Sequence, residues 1–255
     1  MENHTIDQVI KLANTLKFKS LDDSIIEDIA QSIERQWTTE QLLYQIFNKE
    51  NLRRETERRK ALVTRARFSQ IKYLDDLKRE ELPKDMRAVL PELETLSFIK
   101  EHRNIFMTGN PGTGKTHIAI GLAYLACKQG YRVFFTTVHE LLTQLNESRS
   151  QQNLRRYENH FKNYDLVICD EFGYVNFSKE NADLLFNVLS LRAERKSTII
   201  TTNLAFEKWG SIFGDPILAG AMIDRLTHNA YLVNMNGASY RTKETLKFNQ
   251  KMNTK

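Results

Sequence analysis

Two hydrophobic rhythms divide the chain. Up to about residue 72, apolar positions recur every three or four residues, first at Ile6, Val9, Ile10 and Leu16, then at Leu21, Ile25, Ile26, Ile29 and Ile33. That spacing lines one face of a helix. Ser20 and Thr38 are the expected N-caps, and Thr38 with Gln41 fits a capping box. Leu42, Leu43, Ile46 and Phe47 open a third helix that runs on into a charged stretch. No glycine occurs before Gly109, which suits helices with few breaks. Residues 1–72 are therefore predicted to form a small all-α module. Residues 73–102, charged and interrupted by Pro83 and Pro91, read as a connector.

From about residue 103 the rhythm changes to short apolar runs alternating with amphipathic ones. Strands are expected at 104–108, 131–136, 166–169, 197–202 and 231–234. Helices are expected at 116–129 (closed by Gly130), 138–148, 152–163, 179–195 and 216–226. Continuously apolar strands that alternate with helices imply a parallel sheet covered on both faces. Residues 103–255 are thus predicted to be an α/β domain with five strands.

Length and composition narrow the class. At 255 residues the chain is long enough for one α/β core and a small accessory module. No apolar run approaches the roughly 18 residues that a membrane span needs, and the polar, acidic start MENHTIDQVIK does not resemble a leader peptide. Cys127 and Cys169, the only cysteines, sit inside apolar runs and read as buried hydrophobes rather than a disulfide. The scattered histidines offer no zinc spacing. These features predict a cytoplasmic protein with neither membrane attachment nor zinc.

The net charge of +5 is unevenly spread. Residues 1–48 carry four bases against eight acids, whereas residues 49–72 carry nine bases against Glu50, Glu55 and Glu57. Arg53, Arg54, Arg58 and Arg59 fall on neighbouring helical turns, with Arg65 and Arg67 beyond them. Glu50–Arg54 and Glu55–Arg59 are spaced as i,i+4 pairs that neutralise part of this stripe. The tail from Arg241 is also basic. Two such basic segments suggest a polyanion partner, most simply nucleic acid held through its phosphates without sequence preference.

The chemistry begins at Gly109-Asn110-Pro111-Gly112-Thr113-Gly114-Lys115-Thr116, a G-x-x-x-x-G-K-[ST] loop between a predicted strand and a predicted helix. Its glycines let backbone amides close round phosphates at a helix N-terminus. Lys115 supplies a charge for the β- and γ-phosphates of ATP, and Thr116 a hydroxyl for Mg²⁺. His117, next in line, reads as a packing or capping group at the edge of the nucleotide site. Asp170-Glu171 ends the apolar run 166–169, where open α/β sheets place their ligands. Asp170 is expected in the Mg²⁺ shell and Glu171 as general base for the attacking water. Asn203 closes the strand 197–202, which lies between the two motifs if the sheet has the usual ATPase order. There it would orient the water or touch the γ-phosphate.

The runs GNPGTGKTH, YDLVICDEFGY, STIITTN and FEKWGSIFGDPILAGAMIDRLTHNA followed by SYR resemble the IstB-like ATP-binding proteins. These are helper ATPases encoded beside transposases in bacterial insertion sequences, related to DnaC-type helicase loaders. The likeness spans nearly the whole chain, and the block from WG-x-x-FGDP to DRL is its most specific part. Asn110 and Thr113 stand where family members often have Pro and Val. The resemblance implies an AAA+ P-loop NTPase core that works as an oligomer, with ATP between subunits. It also implies that Arg225 is an arginine finger reaching a neighbour's γ-phosphate. Arg241 is implied as either a second phosphate sensor or a DNA contact.

The expected function is an ATP-dependent, DNA-binding helper that assembles on target DNA and recruits or stimulates a partner transposase. Its turnover would be slow in single subunits and rise on assembly. A DnaC-like helicase loader is the alternative, distinguished by what the first third docks. A small-molecule kinase is more remote, given Glu171 and no evident lid.

Overall fold

A computed structural model describes residues 2–22, 24–173, 177–240 and 242 of the chain. In chain order it begins with α1 (Glu2–Thr15), α2 (Ile25–Glu34), α3 (Thr39–Arg65), α4 (Lys84–Glu94) and the short α5 (Ser97–Lys100). Next come β1 (Asn104–Thr108), α6 (Lys115–Lys128), β2 (Val133–Thr137), α7 (Val138–Ser150), α8 (Leu154–Phe161) and β3 (Leu166–Phe172). The chain continues with α9 (Lys179–Ser190), β4 (Ser197–Thr202), α10 (Trp209–Phe213), α11 (Pro216–Thr227) and β5 (Ala230–Asn234). No helix among the described residues is long and apolar enough to cross a membrane.

The five apolar runs become one wholly parallel sheet in the order β2-β3-β4-β1-β5. Side chains alternate across each strand, so one run serves two layers. Ile105, Met107, Ile168, Ile199 and Val233 join α4, α5 and α6 on one face. Phe106, Val167, Cys169 and Ile200 join residues of α7, α8, α9, α10 and α11 on the other. Each apolar side chain so buried contributes about 1.5–3 kcal/mol. Trp209 is fully buried and stacks on Phe172 with centroids 4.4 Å apart. Both cysteines are free and fully buried, and that burial pushes each thiol up to about 12.

β2 is an edge strand, and its outer side is not left open. The backbone N–H of Phe135 donates to the carbonyl of Ala66 at 2.8 Å, while Phe68 packs edge-on against the Phe135 ring. Buried Arg192 donates to the carbonyls of Phe161, Tyr164 and Ser197 and to Thr198 Oγ1, tying the entry of β4 to the end of α8.

The described residues fall into two compact units that divide between Ala61 and Leu62. This differs from the expected boundaries of 1–72 and 73–102. Leu82, Met86, Leu90, Leu93, Leu96, Phe98 and Ile99 are buried in the core of the larger unit, so residues 73–102 are structural rather than a connector. The prolines mislead because Pro83 sits at the N-cap of α4 and Pro91 is accommodated inside it.

Within the smaller unit, Thr38 and Gln41 form the expected capping box. Ser20 is not an N-cap: its N–H donates to Glu50 Oε2 at 3.0 Å, and α2 starts after Ser24. Glu50 is 3% exposed and also accepts from Arg53 and Arg54. The Arg53 hydrogen bond, then those of Arg54 and Ser20, hold its carboxyl far below the usual carboxylate range.

Candidate active site

β1 delivers the chain into the glycine-rich loop, and α6 leaves it. Gly109 and Gly112 are required by close approach: a Cβ on Gly109 would lie 2.4 Å from the Met235 carbonyl carbon, and one on Gly112 would lie 2.3 Å from Ser239 Oγ. Gly112 also has a φ of 79°, in the left-handed region. Residues 235–240 therefore press directly on the loop. The Tyr240 N–H donates to the Gly112 carbonyl at 2.9 Å, and Asn236 Oδ1 accepts from the Asn110 N–H at 3.1 Å. Thr113 is buried, with its hydroxyl on the Asn110 carbonyl.

Lys115 and Thr116 begin α6. The Lys115 ammonium donates to the carbonyls of Gly109 and Asn110 at 2.7 Å each. The Thr116 hydroxyl lies 3.0 Å from both carboxylate oxygens of Asp170. Residues 54 positions apart thus meet because β3 and β1 flank β4 in the sheet. The sheet order expected for Asn203 holds, and Asn203 follows the tip of β4.

A cavity of about 550 Å³ opens at these strand tips, lined by Pro111, Gly112, Gly114, Lys115, Thr116 and His117 from the loop side. Glu171, Thr201, Thr202 and Asn203 line it from the sheet. Asn203 Oδ1 is buried without a hydrogen-bond partner among the described residues. A buried polar atom left so costs about 1–3 kcal/mol unless something fills it. The His117 ring donates through Nε2 to the Tyr73 carbonyl at 2.8 Å, a local packing role.

The cavity has a further wall that sequence reasoning missed: Lys72, Asp76, Leu77, Lys78, Glu81 and Tyr240. The segment looked like a connector because its apolar spacing is broken by charge, and only the fold brings it to the loop. The Tyr240 hydroxyl donates to the Lys78 carbonyl at 2.9 Å, joining this wall to the residues that press on the loop.

The residues present fit ATP with a divalent metal. The loop offers a glycine cradle that no side chain could share, a lysine and a hydroxyl–carboxylate pair, and an orphaned amide lies nearby. Thr116 and Asp170 are the pair able to hold Mg²⁺.

Other expected site residues lie elsewhere. Arg225 is on the exposed side of α11, its guanidinium 5.1 Å from the Phe186 ring centroid, and does not line the cavity. Arg241 lies outside the described residues, as does the basic tail after it. Arg53 and Arg54 are engaged with Glu50, Arg54 also with the Lys17 carbonyl, and Arg59 with Glu55. Arg67 rests over the Phe134 ring at 6.0 Å. Arg58 and Arg65 are exposed and make no ion pair among the described residues.

The family profile described as IstB-like ATP binding protein matches residues 11–248. The chain is 32% identical over 229 residues to the ATP-binding protein of insertion sequence IS232 from Bacillus thuringiensis subsp. berliner, spanning 90% of this chain and 92% of that one. To the corresponding protein of insertion sequence IS21 from Pseudomonas aeruginosa it is 32% identical over 236 residues, spanning 92% and 89%. Among solved structures, it is similar to DnaI with a TM-score of 0.55 at 20% identity, over 64% of this chain and 90% of that one. DnaA bound to AMPPCP and single-stranded DNA gives a TM-score of 0.52 at 18% identity, over 64% and 49%. At such identities the likeness speaks for the fold alone, an AAA+ P-loop module.

Proposed function

Because the chain belongs to the IstB-like ATP binding protein family, whose fold here is that of an AAA+ ATPase, we propose that it is a transposition helper. It would hydrolyse ATP while assembled with further copies of itself on double-stranded DNA, and recruit or stimulate a partner transposase. The insertion-sequence names of relatives that span about nine-tenths of the chain support the transposition setting. They favour it over a DnaC-like helicase loader built on the same core.

One observation carries the enzymatic part: the Thr116 hydroxyl and the Asp170 carboxylate converge at 3.0 Å, beside a cavity also lined by Glu171 and Asn203. Bound Mg²⁺ would supply charge to neutralise the phosphate oxygens. Lys115 would release the two loop carbonyls and turn to the β- and γ-phosphates, with loop amides of residues 112–116 donating to the same oxygens. Glu171, exposed at the tip of β3, would take the proton from the attacking water. Asn203 would accept from that water through the oxygen that lacks a partner. Arg225 would serve the cavity of a neighbouring copy, a role suited to an exposed arginine outside its own cavity. Arg241 would sense phosphate or touch DNA, and Arg53, Arg54, Arg58 and Arg59 in the helical unit, with Arg65 and Arg67 in the larger one, would contact DNA phosphates.

The test is the ATPase rate and particle size with and without duplex DNA, alongside Lys115→Ala. The expected result is larger particles and faster hydrolysis on DNA, with hydrolysis lost in the variant. A rate indifferent to DNA, from particles that never grow, would remove the assembly reading.

A further inference from the structure

β3 does not reach its tip in regular register. Cys169 stands opposite Ile200, and pairing resumes with Phe172 opposite Thr202. Asp170 and Glu171 thus face the single residue Thr201, which is a β-bulge. Glu171 takes a φ of 61°, a left-handed conformation uncommon for a residue with a side chain. A bulge of this kind lifts a residue out of the ladder and leaves its N–H without a backbone partner.

Thr201 fills that gap. Its hydroxyl oxygen accepts from the Glu171 N–H at 3.2 Å, and its hydroxyl proton is donated to Asp170 Oδ1. The side chain is 2% exposed, so water does not compete for either bond. Its γ-methyl restricts χ1 on the strand, which fixes where the hydroxyl points. One hydroxyl therefore grips both acids, the first by its carboxylate and the second by its backbone.

We propose that Thr201 is a positioning residue for hydrolysis, holding the Asp170 carboxylate and the Glu171 backbone at a fixed mutual angle. The proposal rests on the ATPase reading above and adds to it the group that keeps general base and metal-holding acid in step. In this role Thr201, 2% exposed although it borders the cavity, acts through its two neighbours. The exposed Glu171 carboxylate makes no hydrogen bond among the described residues, so its placement depends on the backbone that Thr201 holds.

The experiment compares Thr201→Val, Thr201→Ser and Glu171→Gln in the full chain with duplex DNA, measuring kcat, KM, Mg²⁺ half-saturation and a fluorescent-ATP Kd. Val keeps the shape but loses donor and acceptor together. The expected result for Thr201→Val is a kcat lower by about 10–100-fold, the scale set by misplacing a reacting group by up to about 1 Å. Its ATP Kd should stay within about threefold, since the glycine cradle is untouched, and its Mg²⁺ half-saturation should rise. Thr201→Ser should restore kcat to within a few fold.

A Val variant with the normal kcat overturns the proposal. So does a Ser variant as slow as Val, because the hydroxyl would then not be the operative group. If Val fails to fold, Thr201→Ala takes its place, and normal turnover there has the same meaning. Loss of ATP binding in step with kcat would make Thr201 merely structural and also defeat the proposal. No hydrolysis by the unmodified chain would instead remove the ATPase reading beneath it, and wild-type turnover in Glu171→Gln would remove the general-base assignment, so these failures are distinguishable from that of Thr201.

Discussion

Glu50 and Glu171 are the same side chain in two settings. Glu50, in the helical unit, is buried and receives Arg53, Arg54 and the Ser20 amide. Glu171, at the tip of β3, is exposed on a bulge, and its carboxylate has no hydrogen bond among the described residues. The units differ in the same sense. The sheet unit buries apolar clusters on both faces, whereas the helical unit buries only Ala13 and Ile25 among its described apolar residues and leaves Leu12, Leu16, Ile33 and Tyr44 well exposed. A unit with so little core depends on saturated polar contacts. A unit with a large core can leave polar groups open at its rim, where a ligand can use them.

Exchanging the roles of such charges tests the contrast. The largest effect is expected for Arg225→Ala, which should keep ATP binding yet cut the hydrolysis rate of the assembled protein about 10³-fold, as for an arginine supplied by a neighbour. Hydrolysis at the normal rate in the assembled state would show the finger assignment to be wrong. Glu171→Gln should lower kcat about 10²–10³-fold with an unchanged melting temperature, because it removes a base and no structural bond. Calorimetry beside a phosphate-release assay reads both quantities.

Glu50→Gln should do the reverse. It should destabilise the helical unit by about 1–3 kcal/mol, since the arginines lose their charge-assisted partner, while hydrolysis without DNA is unchanged. The low end is expected, because Arg54 is half exposed and water replaces part of the bond. The wild-type pH dependence has a definite sign. A carboxyl whose folded-state pKa is depressed contributes stability that is complete above its ordinary value of 4.5 and is lost as pH falls below it towards the folded-state value. Circular dichroism of the helical unit between pH 6 and strong acid checks this. No loss below the ordinary carboxylate range would mean that the Glu50 network contributes little.

The smallest effect separates free arginines from engaged ones. If about four arginines of the stripe meet phosphates, log K for duplex DNA should fall with log[salt] at a slope near −4. Arg58→Ala with Arg65→Ala should reduce that slope by about 2 without changing the melting temperature. Arg53→Ala should mainly lower the melting temperature. A slope unmoved by the double substitution would place the DNA contact elsewhere.

Much of the sheet was legible because its strands are continuously apolar: β1 and β4 fall at the expected residues, whereas β3 runs past the expected 166–169 to Phe172 and takes the acid pair into the strand. The capping box at Thr38 was readable because both partners lie within four residues. Ser20 was not, since its amide is claimed by Glu50 thirty residues away. Residues 73–102 hid an amphipathic spacing, Leu82, Met86, Leu90 and Leu93, behind charges and two prolines that α4 tolerates. Thr201 was invisible for a different reason: its importance comes from a register shift between β3 and β4, and a bulge leaves no mark in either strand's hydrophobic pattern.

The bond between Ala66 and Phe135 bears on anyone who would study the ATPase unit in isolation. A fragment beginning after residue 68 would bare the flank of β2, with an unmatched amide and the Phe135 ring uncovered, an invitation to stack sheet against sheet between molecules. Starting at Leu62 keeps that natural selvedge in place, and light scattering of the two fragments would show the shorter one clumping first.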